Sequence, residues 1–280
     1  MDNASLVSII TPAYNAAAFV EKMVQSVQAQ DYKNWELLIT DDCSKDNTRE
    51  IVSGLSLADP RIRLIRQPEN GGPAAARNAS VAAAAGRYIA FLDSDDWWLP
   101  EKLSGQLRFM QHKNAALSYT SYRRVDRDGL NPGHLIIPPD SLTYSQLLKN
   151  TAIATSTVIV DRDQTGPFSL RKTYYDDFVL WLELLGRGFT AYGFTEDLMR
   201  YRVVANSVSR NKGRSAKMVW NTYRRDLNLG LPKSMWCFSQ YAINALKNTG
   251  NSEKSDAVAH LSLFHESQAI PPEKTERHHP

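Results

Sequence analysis

A fourfold alternation in the first hundred residues constrains this chain more than anything else in it. Apolar runs of strand length lie at 6–10, 35–40, 62–65 and 88–92. Between the first two, Phe19, Val20, Met23, Val24 and Val27 recur at helical spacing. Asp46-Asn47-Thr48 then offers cap chemistry before a helix carrying Ile51, Val52 and Leu55, and Asn70-Gly71-Gly72-Pro73 opens an alanine-rich helix with proline in its first turn. Strands separated by helices predict a parallel α/β sheet with right-handed crossovers. In such sheets ligands bind outside the carboxyl ends of the strands. Three of these ends are polar: Thr11 to Asn15, Asp41-Asp42, and Asp93 to Asp96.

Past Pro100 the rhythm loosens. The pattern predicts a helix with Leu103, Leu107 and Met110, a strand at 117–122, and a loop over 126–139, which is rich in Gly, Pro and Asp. Further short strands are expected at 157–160, 190–194 and 198–203, and an apolar helix at 178–185 directly follows Asp176-Asp177. This half should extend the same sheet, giving one domain over 1–210. Residues 211–250 read as a basic, aromatic, amphipathic helical extension, and 251–280 as a polar, mostly disordered tail.

Several chemistries are disfavoured at this level. No apolar window reaches the roughly 18 residues needed to span a bilayer, and Met-Asp-Asn-Ala-Ser is no signal peptide, so a cytoplasmic location is expected. Cys43 and Cys237 lack metal-ligand spacing and fit structural thiols in a reducing compartment. A net charge of +3 is too small to argue for nucleic acid, yet it is uneven: nine Lys or Arg fall between Arg200 and Ser234, against Asp226 alone. There is no Walker phosphate loop, dinucleotide-binding turn, nucleophile elbow or HExxH pair, and the six histidines fall in loops or the C-terminal region. Carboxylates at strand ends remain. Asp93 and Asp95 alternate with Ser94 and can face one way, toward a hard cation such as Mg²⁺ or Mn²⁺. The same Asp-Ser-Asp-Asp is equally good turn and cap chemistry.

Four segments in order resemble the successive motifs of family 2 glycosyltransferases with the GT-A fold: 7–15 (VSIITPAYN), 35–44 (WELLITDDCS), 70–78 (NGGPAAARN) and 88–96 (YIAFLDSDD). The likeness is close over 6–103, continues more loosely to about residue 210, and is nearest to bacterial enzymes of surface-polysaccharide assembly. It implies a Rossmann-like, mostly parallel sheet flanked by helices, with a nucleotide-binding half at 1–100 and an acceptor half at 101–210. It also implies an inverting, metal-dependent transfer from a nucleotide sugar, UDP-linked by expectation, to a glycan or lipid-linked acceptor. Thr11, Ala13 and Tyr14 would line the nucleotide pocket, Asp41 would accept the uracil imide hydrogen, and Arg77 would reach a phosphate. Asp93, Ser94 and Asp95 would form the D-x-D turn, with Asp95 the direct ligand of Mn²⁺ or Mg²⁺. Asp96 would support that ligand set or cap the next helix. Asp176-Asp177 matches the family's acid pair, Asp177 as general base. For three of these residues a structural role stands beside the functional one: Tyr14 as a packed loop aromatic, Arg77 as partner of an acid at the sheet end, and Asp177 as a helix cap.

Two departures from the family pattern stand out. The usual Asp-Asp-Gly-Ser turn reads Asp41-Asp42-Cys43-Ser44, so it either avoids positive φ or tolerates it. The late pattern carrying a histidine reads Tyr201-Arg202-Val203-Val204-Ala205-Asn206-Ser207-Val208-Ser209 without one, leaving Arg202, Ser207 or basic residues beyond for any diphosphate contact. Two alternative functions are a sugar-nucleotide nucleotidyltransferase, disfavoured because Ala13-Tyr14-Asn15-Ala16-Ala17 is neither glycine-rich nor basic, and a non-catalytic nucleotide-sugar-binding subunit. The basic, aromatic extension would lie peripherally on the anionic inner face of the cytoplasmic membrane, or else pack as a helical lid with a solvated basic face.

Overall fold

A computed structural model describes residues 5–203 and 212–244. Strands β1 (Val7–Ala13), β2 (Trp35–Asp41), β3 (Ile62–Arg66) and β4 (Tyr88–Phe91) pair in parallel in the order β3-β2-β1-β4. Helices α1 (Val20–Gln28), α2 (Thr48–Ala58) and α3 (Pro73–Ala83) make the crossovers, as the alternation predicts. Strands β1, β2 and β4 are buried almost throughout, which explains their apolar character, while β3 at the edge of the sheet is buried only at Ile62. Val7, Ile9, Leu37 and Ile39 face α1, where Val20, Met23, Val24 and Val27 are buried, while Ile10, Leu38, Ile89 and Phe91 join the core on the opposite side.

The second half extends the sheet with a mixture of parallel and antiparallel pairs. Strand β5 (Trp97–Trp98) and helix α4 (Lys102–Lys113) are followed by β6 (Leu117–Val125), β7 (Pro132–Ile136), β8 (Ser141–Leu142), α5 (Tyr144–Leu147), β9 (Ile159–Asp161) and α6 (Arg162–Thr165). Helix α7 (Asp176–Gly186), strand β10 (Ala191–Arg202) and helix α8 (Lys212–Asn221) complete the larger elements. Strand β9 sits antiparallel between β4 and β6, β10 runs parallel to β6, and β5 pairs antiparallel with the end of β10. Beyond α8, a π-helical turn at Thr222–Asp226 leads to residues 231–244, which are helical and designated α9.

Three expectations need correction, and Trp97-Trp98, for which none was set, needs placing. The segment 126–139 is not all loop, because β7 pairs with β6 inside it. The strands expected at 190–194 and 198–203 are one strand, β10, whose pairing with β6 shifts register between Phe194 and Met199; the break in hydrophobic alternation at Thr195-Glu196-Asp197 marks an irregularity rather than an end. Trp97-Trp98 is a short edge strand. The run at 157–160 begins as a 3₁₀ turn, Thr155–Thr157, before β9. The tail 251–280 and the segment 204–211 lie outside the described residues.

Helix α7 decides where the second acid pair goes. Phe178, Val179, Leu180, Trp181, Leu182, Leu184 and Leu185 are all buried, so apolar contact surrounds the helix. Trp181 meets Phe91 of β4 edge to face, with centroids 5.2 Å apart. This packing brings the first turn of α7, with Asp176 and Asp177, up to the carboxyl end of β4. No helix among the described residues is long and apolar enough to cross a membrane.

Candidate active site

Three loops build the nucleotide side of the sheet edge, and their polar side chains mostly hold one another. After β1, Asn15 takes a positive φ of 51°. The next backbone N–H groups donate to the β2 loop: Asn15 to Ser44 Oγ (3.0 Å), Ala16 to Thr48 Oγ1 (2.7 Å) and Ala17 to Asp46 Oδ2 (3.1 Å). Asp46 also receives the Thr48 backbone N–H, doing the helix-cap work expected of its neighbour Asn47. Cys43 tolerates the left-handed conformation, with φ at 62°.

Asp41 and Asp42 have different tasks. Asp41 is fully buried, receiving Arg49 Nε (3.0 Å) and Nη2 (2.8 Å) on Oδ2 and the Ser44 N–H (3.2 Å) on Oδ1. Asp42 receives the N–H groups of Gly71 (2.7 Å) and Gly72 (2.8 Å) on its two oxygens. Gly72 has φ +84°, and a Cβ on Gly71 would lie 2.7 Å from that of Ala75. The paired glycines therefore allow the tight entry into α3 that aims Arg77.

Arg77 is almost fully buried and spans the site. Its Nη2 meets Asp93 Oδ1 at 2.6 Å, and its Nη1 meets Asp176 Oδ2 at 2.8 Å. Burial works against its charge, but Asp93, Asp176 and Asp177 outweigh burial and hold the guanidinium protonated. The acid-pairing alternative for Arg77 is thus the one the structure displays, with two acids rather than one.

On the other side of the turn, burial first and Asp93 second push Asp95 up to about 6. Asp96 is buried and raised well above the ordinary carboxylate range by burial, then by Asp95 and Asp93. It receives Ser156 Oγ (2.6 Å) and the Arg202 N–H (2.9 Å), so it supports the turn from beneath. Ser156 also receives the Asp93 N–H, and its carbonyl receives the Trp98 indole N–H at 2.7 Å. Arg202 lies between the rings of Phe19 and Trp97 and donates to the carbonyls of Asp95 and Arg127. Its described role is to clamp the turn. Ser207 and Arg210 lie outside the described residues.

The acceptor-side pair divides in the same way. Burial raises Asp176 while Arg77 opposes the shift. Asp177 is only half-buried and receives the hydroxyl of Thr155. Of the expected nucleotide residues, Thr11 and Ala13 are buried in the sheet and Tyr14 is exposed. Ser94 is half-buried between the acids. Arg49, Thr155 and Ser156 were not anticipated, since a lone Arg eight residues past Asp41 and a Thr-Ser-Thr run carry no distinctive signal.

A divalent cation fits this donor set. Asp95 offers carboxylate oxygens destabilised first by burial and then by Asp93, a strain that a cation would relieve. Among the described residues no three His, Cys, Asp or Glu side chains gather into a metal cage.

The chain matches the model of "Glycosyl transferase family 2" over residues 8–178. It is 47% identical over 243 residues to a Bacillus subtilis protein designated a teichuronic acid biosynthesis glycosyltransferase, TuaG, covering 86% of this chain and 96% of that one. It is 39% identical over 217 residues to the Escherichia coli UDP-Glc:alpha-D-GlcNAc-diphosphoundecaprenol beta-1,3-glucosyltransferase WfgD, covering 77% and 84%. Among solved structures, Staphylococcus aureus TarS with UDP-GlcNAc superposes with a TM-score of 0.61 at 17% identity, covering 84% of this chain and 71% of that one. The mannosyltransferase PcManGT of Pyrobaculum calidifontis, with GDP-Man and Mn²⁺, gives 0.64 at 17%, covering 96% and 82%. These two likenesses identify the fold as GT-A.

Proposed function

The chain belongs to glycosyl transferase family 2, and from that premise we propose that it transfers a hexosyl group, with inversion, from a UDP-sugar to a lipid-linked glycan of a bacterial surface polysaccharide. The observation that carries this reading is the sharing of Arg77. One arginine ties down one acid of each pair and leaves Asp95 toward the nucleotide side and Asp177 toward the acceptor side.

In the proposed reaction, Asp177 takes the acceptor hydroxyl proton as that oxygen bonds to the anomeric carbon. The carbon–oxygen bond to the diphosphate breaks in line, and its electron pair leaves with the nucleoside diphosphate. Thr155 holds the Asp177 carboxylate by its hydroxyl, and Arg77 pairs with Asp176 beside it, fixing the first turn of α7. On the donor side, Tyr14 offers its ring to the base. The Asp41 carboxylate, fixed by Arg49 and Ser44, retains unused lone pairs for the imide hydrogen. Asp95, with Asp93 alongside, would hold Mn²⁺ or Mg²⁺. When bound, the ion supplies Lewis-acid neutralisation of the departing diphosphate.

Nucleotidyl transfer has less support. It would need the loop after β1 to cradle phosphates through its N–H groups, and those of Asn15, Ala16 and Ala17 are occupied by Ser44, Thr48 and Asp46. The similarity to a transferase named for a diphosphoundecaprenol acceptor supports a lipid-borne acceptor here, and with it a position for the protein at the inner face of the cytoplasmic membrane. A panel of nucleotide sugars tests the reading. Metal-dependent turnover of at least one UDP-sugar, abolished by chelation and lost in Asp177→Asn with UDP binding retained, is the expected result. Unchanged turnover in Asp177→Asn would remove the base assignment.

A further inference from the structure

Helix α9 is apolar on its outward face as well as on the inward one, where Cys237, Phe238 and Tyr241 meet the core. Ser234 and Cys237 are buried, while Leu231, Met235, Trp236 and Ile243 stand out, Met235 at 59% and Trp236 at 60% exposure. Beside this face runs an open apolar groove of about 480 Å³ between α8 and α9, lined by Ala216, Lys217, Trp220, Met235, Phe238 and Ser239. Trp220 and Phe238 meet edge to face on its wall, with centroids 5.5 Å apart. The charge around it has one sign. Residues 212–244 hold six Lys or Arg against Asp226 alone, and Lys217, Arg225 and Lys233 are exposed.

An exposed aromatic and aliphatic stripe rimmed by cations matches the headgroup zone of an anionic bilayer, where indole and thioether side chains enter the acyl boundary and lysines stay with the phosphates. A soluble protein partner of opposite charge would account for the basic rim, but not for an open apolar groove and an exposed Met-Trp pair beside it. The position of the patch gives the contact a use. Tyr175, the residue just before the acid pair, hydrogen-bonds Ser215 of α8 and lies within electrostatic reach of Tyr241 of α9. Helix α9 is further fixed by Asn244, which donates to the Lys149 carbonyl. Helices α8 and α9 are therefore tied to the residue that leads into the acid pair.

We propose that the outward face of α9, with the α8–α9 groove and its lysine rim, docks on anionic phospholipid and holds the acceptor side of the site against the membrane. The proposal rests on the preceding reading only in that a lipid-borne acceptor gives docking its purpose.

The test is flotation of the full-length protein with vesicles of phosphatidylethanolamine and phosphatidylglycerol, against vesicles of phosphatidylcholine alone. The wild type should float with the anionic vesicles and be released by high salt. The double variant Met235→Gln/Trp236→Gln, altered at exposed positions that leave the core intact, should lose about tenfold or more of its vesicle partition, and Lys217→Glu/Lys233→Glu should lose most of its preference for anionic lipid. Turnover of UDP-sugar measured without vesicles should be the same in wild type and variants. Failure of the wild type to float, or unchanged flotation of Met235→Gln/Trp236→Gln, overturns the proposal. So does sedimentation showing a dimer that this variant dissociates, which would give the face to a second copy. Flotation with no turnover of any nucleotide sugar would uphold the surface and defeat the glycosyl-transfer reading instead.

Discussion

The carboxyl end of β4 and the amino end of α7 each present a pair of acids, and the pairs are built differently for one reason. Asp93 and Asp95 are two residues apart in a turn closed by the Asp96 N–H on the Asp93 carbonyl; on the first helical turn Asp176 and Asp177 are adjacent. Arg77 reaches the inner member of each, Asp93 and Asp176, and leaves an outer member in a distinct environment. Asp95 is half-buried beside like charge and raised to about 6, which suits an acid that gains from a cation. Asp177 is half-buried and receives a threonine hydroxyl, which suits a group that must meet an acceptor hydroxyl. A single buried cation thus makes two acidic dyads inequivalent within themselves.

The sharpest way to break this comparison is to exchange the acids of the second pair one at a time. Asp177→Asn should lower kcat by about 10²- to 10⁴-fold with UDP affinity retained, the range for a lost general base. Asp176→Asn should cost far less turnover and more stability, since Arg77 loses one of its two charge partners. If the two variants ranked the other way in kcat, the division of roles by Arg77 would be wrong.

The next largest effect comes from the shared residue. Arg77→Met strands two carboxylates at a largely buried site and should cost about 3–5 kcal/mol in urea denaturation, the scale for breaking a buried ion pair. In an Asp176→Asn background the same change should cost less, because one of the stranded charges has already gone; the double-mutant cycle measures that coupling. Additive losses would mean that Arg77 does not join the pairs.

A third test separates the outer acids by pH. The raised Asp95 carboxyl binds a proton more tightly folded than unfolded, so the protein without metal loses stability as pH rises from the ordinary carboxylate value through about 6, and the penalty is complete above that. A cation competes with that proton. Affinity for Mn²⁺, followed by calorimetry, should therefore hold steady above about pH 6 and fall by up to tenfold per unit below it. Asp95→Asn should abolish the pH dependence, along with most of the binding, and should raise the stability of the metal-free protein at neutral pH.

The two pairs were not equally legible in the sequence. The four parallel strands and their crossovers follow from hydrophobic period alone, because strands buried on both faces read as unbroken apolar runs. Asp93 to Asp96 could be placed at a strand end for the same reason. The link to Asp176 could not, since it depends on α7 packing Trp181 against Phe91, a contact between residues ninety apart that no local pattern encodes. Arg77 was seen as a residue near a helix start, but which of a phosphate and an acid it meets depends on that same packing. The antiparallel insertion of β9 between β4 and β6 escaped notice because a three-residue strand is too short to show a period.

The turn at Cys43 offers the smallest effect and a useful control, since it belongs to the nucleotide side and touches neither pair. A non-glycine residue at φ 62° is strained by its Cβ, and the thiol returns only a weak hydrogen bond to the Gln67 carbonyl at 3.3 Å. Cys43→Gly removes the Cβ conflict, loses that bond and adds backbone freedom to the unfolded chain, so a net gain of about 0.5–1 kcal/mol is expected. Thermal unfolding would register it as a rise of a few degrees, with kcat unchanged. Such a result would also mean that relaxing the β2 turn does not reach the acids. A loss of turnover instead would show that Asp41, held through Ser44 and Arg49, transmits the shape of this turn to the donor, making the nucleotide side less independent of the acid pairs than their geometry implies.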